Sequence, residues 1–144
     1  MLHKLTSTTS TWATVPLRLI LGVAFIGHGS QKVLGYFNGP GWAKWTSLSQ
    51  AVPFPFMRPT SLWLGAAAIS ELLGGILVLL GLLTRLGAFL IICVMVTAMA
   101  TQWPAFFAPA GMELAVTMLS IALALLIAGG GQASVDRMIG GSRY

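Results

Sequence analysis

Four side chains in this sequence carry the groups for joint chemistry: His28, Lys32, Glu71 and Glu113. Lys32 follows His28 by four residues, which on a helix puts both on one face. Each lies in or at the edge of a long apolar run. An ionised group in such a setting costs roughly 3 kcal/mol or more unless it is paired or lines a polar cavity. Glu71 must therefore pair or hold a proton, and Lys32 and His28 are its candidate partners. One reading is an interhelical ion pair that fixes packing. The other is a polar pocket that binds a small molecule or relays protons.

Other chemistries find little support. Cys93 is the single cysteine, so neither an intrachain disulfide nor a C-x-x-C redox pair can form. It reads as a small packing residue. His3 stands in a polar tail, which leaves one histidine for an apolar segment and none to complete a bis-histidine haem site. No Cys/His metal spacing, phosphate-binding glycine loop or nucleophile triad is present. No metal and no covalent cofactor is expected. The net charge of +5 does not point to nucleic acid, because the lysines and arginines stand singly rather than in a stripe.

The elements that position these residues follow from composition. Hydrophobic residues make up 56% of the 144 and charged residues 8%, against about 25% charged in soluble domains. The mean hydropathy is +0.86. So few charges cannot cover a water-facing surface, whereas a lipid-facing surface needs none. Four apolar runs, about 15–37, 61–83, 85–103 and 112–130, each approach the ~20 residues that cross a hydrocarbon core. In lipid each must be a helix, which satisfies its own backbone. The expected fold is all-α, a polytopic membrane four-helix bundle over residues 15–138, with a polar and mobile N-terminal tail at 1–14 and a C-terminal tail at 139–144. The turn Gly81-Leu82-Leu83-Thr84-Arg85 makes the second and third runs a tight antiparallel pair. Between the first two runs, Trp42, Trp45 and Leu48 predict a short interfacial helix over Ala43–Ala51.

An even number of spans places both termini on one side. That side holds Lys4, Arg18, Arg85, Arg137 and Arg143, against Lys32, Lys44 and Arg58 on the other. The excess favours cytoplasmic termini. Arg18, Arg85 and Asp136 then form an inner-face charge network, in which Asp136 pairs with Arg18 or Arg85. His28 lies ~18 Å along the first helix and Glu71 ~15 Å down the second, at 1.5 Å per residue. The two are thus at similar depth, with Lys32 and Glu113 nearer the outside. Ala66, Ser70 and Gly74 make a small-residue face, and Gly27 and Gly29 flank His28. Both features allow close approach of a helix or a flat ligand.

These residues resemble the DoxX family of small bacterial membrane proteins. The resemblance rests on Gly22, His28-Gly29 and Lys32, on Glu71-Leu72-Leu73-Gly74-Gly75, and on Gly81-x-x-Thr84-Arg85. It continues through Glu113-Leu114, Gly129-x-Gly131, Ser134 and Asp136, over about residues 15–138. It implies a four-helix, multi-pass protein of the bacterial inner membrane with a loose link to oxidoreductase systems.

The first functional expectation is a quinone-linked oxidoreductase subunit. His28 and Lys32 would donate to the head group and Glu71 would exchange protons, so these three would be its binding residues. The chain has no redox centre of its own, so a partner redox protein would supply electrons. The alternative is a non-enzymatic membrane scaffold or assembly factor, with the charges holding the bundle and the Trp42–Trp45 segment meeting a partner. A small transporter, which would need a homo-oligomer, ranks third. The bilayer itself is the remaining partner.

Overall fold

The long apolar runs form helices. The structure, a computed structural model, describes residues 6–48, 52–107, 109 and 111–140, with the backbone of 142–143. Lys4, residues 49–51 of the anticipated interfacial helix and the side chain of Arg143 lie outside the described residues. The helices are α1 (Thr14–Val33), α2 (Gly41–Thr46), α3 (Thr60–Leu80), α4 (Thr84–Gln102), α5 (Glu113–Ala128) and α6 (Val135–Gly140). Two short strands, β1 (Thr8–Thr9) and β2 (Ser142–Arg143), pair in parallel with Thr8 opposite Ser142.

Of the four anticipated spans, α3 and α4 are both long and apolar enough to cross a membrane. α5 is apolar but has 16 residues, about 24 Å of helix. α1 has 20 residues, but Arg18, His28 and Lys32 lower its hydropathy. The outward faces are apolar too: Leu19, Ile20 and Val23 of α1 and Ile69, Leu73 and Leu80 of α3 are exposed. Contiguous exposed apolar faces of this kind are rare on soluble monomers.

α1 packs on α3, α3 on α4 and α4 on α5, while α1 and α5 touch far less. Leu21, Phe25, Val78, Ala88, Ile91, Ala122 and Leu125 form the core. Helices buried only by other apolar side chains gain little from association in lipid, so close backbone contact must hold them together. Gly29 and Gly75 supply it between α1 and α3. A Cβ on Gly29 would stand 2.5 Å from Leu72 N, and one on Gly75 would stand 2.7 Å from Ile26 N. Around Gly27, by contrast, nothing lies within 4 Å, so only one of the two glycines flanking His28 serves close packing.

Gly29→Ala is expected to push α1 off α3 and lower stability by about 1–3 kcal/mol, the usual range for overpacking. Gly27→Ala meets no neighbour and gains helix propensity, so it should lose nothing. Thermal unfolding of both variants in the same detergent checks this. Equal midpoints for the two would refute the close α1–α3 contact.

Two expectations are corrected. Over residues 6–9 the N-terminal segment is packed, not a mobile tail: Thr6, Ser7 and Thr8 are buried. The Thr9 hydroxyl donates to Ala128 O at 3.2 Å, and the Thr14 hydroxyl donates to Gly130 O at 3.0 Å. These threonines satisfy carbonyls at the end of α5, which the helix itself leaves without donors. The interfacial helix is also shorter and begins earlier than expected. Gly41 (φ +67°) opens it, Ser47 closes it and Leu48 lies beyond it.

Candidate functional site

Helical spacing sets the walls of the site. Ala24, His28 and Lys32 follow one another by four along α1, and Met95, Ala98 and Gln102 follow at three and four along α4. Such positions share a helix face. With Glu71 of α3 and Glu113, Leu114 and Met118 of α5, these faces enclose a cavity of about 450 Å³. All four residues singled out from the sequence line it. The volume falls within the roughly 300–1,000 Å³ of small-molecule sites.

The four differ in what they do there. Glu71 is buried, with a side chain 4% exposed, and both of its oxygens lie 2.5 Å from Lys32 Nζ. Among the described residues this is the one ion pair. Lys32 also sits over the Trp45 ring, 4.6 Å from its centroid. Trp45 is itself anchored by its indole N–H, which donates to Leu64 O at 2.8 Å. The short helix α2 therefore docks on α3, and its tryptophan closes over the ion pair. His28 is not the partner of Glu71. It is exposed at the cavity wall, because α1 turns its Gly29 side, and not its His28 side, towards α3. Glu113 Oε2 accepts from Phe107 N at 3.2 Å. A smaller cavity of about 230 Å³ lies against the same pair, lined by Lys32, Trp45, Leu64, Glu71 and Thr101 among others.

Gln102 was not foreseen. It lines the larger cavity, and its buried Oε1 has no hydrogen-bond partner among the described residues. A buried amide oxygen without a donor is uncommon in folded proteins. The available signal was a glutamine after Thr97 and Thr101 at the end of a mostly apolar helix, which reads equally well as an ordinary interfacial end.

The inner-face residues behave differently from expectation. Among the described residues Asp136 makes no direct ion pair with an arginine head group, although its charge still acts on Arg18 at longer range. Its carboxylate accepts from Leu83 N at 2.6 Å, Thr84 N at 2.8 Å and the Thr84 hydroxyl at 2.7 Å. It thereby caps the start of α4, where free N–H groups and the helix dipole favour an anion. Gly81, at φ +67°, closes α3 in a Schellman turn, with Gly81 N on Val78 O and Leu82 N on Leu77 O. That is the left-handed position glycine tolerates best. Arg18 donates to Val78 O, Leu79 O, Gly130 O and Ala133 O. Arg85 donates to Leu126 O and Ile127 O at the end of α5 and to Ser7 O. Each arginine thus serves a helix C-terminus, where carbonyls lack donors and the dipole favours a cation.

No group of three or more His, Cys, Asp or Glu among the described residues is placed to hold a metal. What the cavity offers is a polar cluster against apolar walls of Phe25, Met95, Leu114 and Met118.

An apolar helical chain with lipid-like outer faces and an ion pair enclosed among its helices defines a helical membrane protein. The DoxX family model matches residues 13–104, which takes in α1 to α4. The chain belongs to the DoxX family. The match stops short of Glu113-Leu114 and of the Gly129–Asp136 segment, so the likeness is narrower than 15–138. No curated protein and no solved structure matches the chain.

Proposed function

We propose that this protein is the membrane subunit of an oxidoreductase system and that its cavity takes a quinone head group. One observation carries the reading: a polar cluster borders a cavity of about 450 Å³ whose remaining walls are apolar. A prenylated ring needs this combination, with polar atoms for the head group and an oily route for the tail. The thin contact between α1 and α5 supports lateral entry from the bilayer, since the cavity lies between those two helices and α4. Electrons come from a partner redox protein in this reading.

In this reading α1, α3, α4 and α5 all cross the bacterial inner membrane, with both termini in the cytoplasm. Local thinning or flanking loop residues accommodate the shorter α5. Purification in mild detergent, lipid extraction and chromatography test the proposal. Co-purified quinone, or saturable binding of ubiquinone or menaquinone analogues, supports it. Absence of both rejects it.

The second reading is a scaffold or assembly factor. The direct Lys32–Glu71 pair at 2.5 Å favours it, because that pair is satisfied without a ligand. Glu71→Gln separates the two readings. A folded variant that keeps function supports the scaffold, and a folded variant that loses ligand supports the binding site.

A further inference from the structure

The Lys32–Glu71 pair has a cavity on each side. Lys32, Glu71 and Ala98 border both the cavity of about 450 Å³ and the smaller one of about 230 Å³. The pair is thus the partition between them. The smaller cavity lies towards the end of the bundle that carries α2, between Trp45 and the facing sides of α3 and α4. Thr97 and Thr101 border it from α4, four residues apart and so on one helix face. Thr101 is exposed and stands one residue from the end of α4. Thr97 is ~6 Å deeper along the helix, and Glu71 closes the far end.

A small cavity stays dry when its walls are apolar and holds water when it is roomy and offers two or more polar partners. This one has space for several waters, and its walls carry the partners. The Thr97 hydroxyl donates to Cys93 O at 3.0 Å and the Thr101 hydroxyl to Ala98 O at 2.7 Å. Each hydroxyl oxygen keeps lone pairs that can accept from water. Lys32 takes one acceptor position on each Glu71 oxygen, and a carboxylate has further positions on both. Polar atoms therefore mark the way from the exposed end of α4 down to the ion pair.

We infer that the smaller cavity is a water-filled passage from the α2 end of the bundle, past Thr101 and Thr97, to the carboxylate of Glu71. This extends the quinone reading above. A ring reduced by two electrons from the partner redox protein takes up two protons. Once Glu71 has given a proton to the ring, it must regain one from water while the ring still fills the larger cavity. A passage on the opposite side of the pair meets that need.

The test needs no quinone, so its failure leaves the quinone reading intact, and failure of that reading leaves the passage intact. The full chain carrying Cys93→Ala is placed in lipid nanodiscs, which leave both faces open. A single thiol is then introduced by Thr97→Cys or by Val96→Cys. Val96 is the next residue on α4, at nearly the same depth, but exposed on the outer face. The probe is silver ion in nitrate buffer, a small cation that moves through water and enters hydrocarbon poorly. Maleimide labelling after denaturation counts the thiols that silver left unblocked. Thr97→Cys is expected to be blocked at least about tenfold faster than Val96→Cys, because a charge is costly in the bilayer interior. Adding Thr101→Trp, which fills the mouth, should return Thr97→Cys to the rate of Val96→Cys. Equal blocking of the two thiols without that plug overturns the passage. Fast blocking that Thr101→Trp leaves unchanged overturns its route past Thr101. Thr101 is exposed, so the larger side chain displaces no core residue, and the comparison of the two thiols does not depend on it.

Discussion

Replacing Lys32 by methionine is expected to destabilise the protein by about 3–5 kcal/mol, the cost of leaving one member of a buried ion pair without its partner. The Glu71 carboxylate lies on α3 among apolar side chains and takes both of its hydrogen bonds from Lys32 Nζ. Methionine fills much of the same volume, so the loss reports the charge and not a cavity. Replacing both partners, Lys32→Met with Glu71→Leu, should recover most of the loss, because apolar pairs of similar volume often match buried ion pairs. Thermal unfolding in one detergent compares the three proteins. A single variant that melts with the native protein would show that Glu71 finds another donor or holds a proton at no cost. The double variant has a second use: folded but unable to bind ligand, it would assign the pair to the site rather than to packing.

The second large effect belongs to Arg18. Its side chain is 5% exposed and makes four hydrogen bonds to main-chain oxygens. Hydrogen bonds from a charged donor contribute roughly 1.5–3 kcal/mol each, but they do not add. Here Val78 O keeps a second donor in Gly81 N, and Gly130 O keeps one in the Thr14 hydroxyl. Leu79 O and Ala133 O are left most exposed to the loss. Arg18→Met is therefore expected to cost about 3 kcal/mol rather than the full sum. Arg18→Lys should recover only part of this, because one ammonium cannot span acceptors that the guanidinium reaches as a fork. Denaturant unfolding monitored by helix content checks the order native, Lys, Met. A lysine variant as stable as the native protein would show that charge alone, without the fork geometry, holds this end of the bundle.

These two sites divide in how far the sequence discloses them. At both, sparse charges in apolar runs announced that buried groups must find partners, since the cost of an unpaired charge in lipid does not depend on fold. The partners were another matter. Asp136 looked like the ion-pair partner of Arg18 or Arg85 because these are opposite charges at one end of the helices. Instead the free N–H groups of α4 took the direct contacts of Asp136 and the free carbonyls of α3 took those of Arg18. Every helix carries such end groups, so residue identity does not reveal which side chain reaches them. Gln102 escaped notice for a related reason: a lone glutamine at a helix end is ordinary, and its significance lies in an oxygen enclosed without a donor.

By itself the sequence determined the helical class, the approximate limits of α1, α3, α4 and α5, the tight Gly81 turn, the family and the set His28, Lys32, Glu71 and Glu113. Length, hydropathy and the need to satisfy backbone in lipid suffice for those. Only the tertiary structure decided that Lys32 and not His28 meets Glu71, that Trp45 covers the pair, and that Thr6, Ser7 and Thr8 pack against the bundle. When a helix is apolar on all sides, inward and outward faces look alike in sequence. Its rotation is then set by where backbones approach most closely, here Gly29 against Leu72 and Gly75 against Ile26, and that contact exists only once two helices have met.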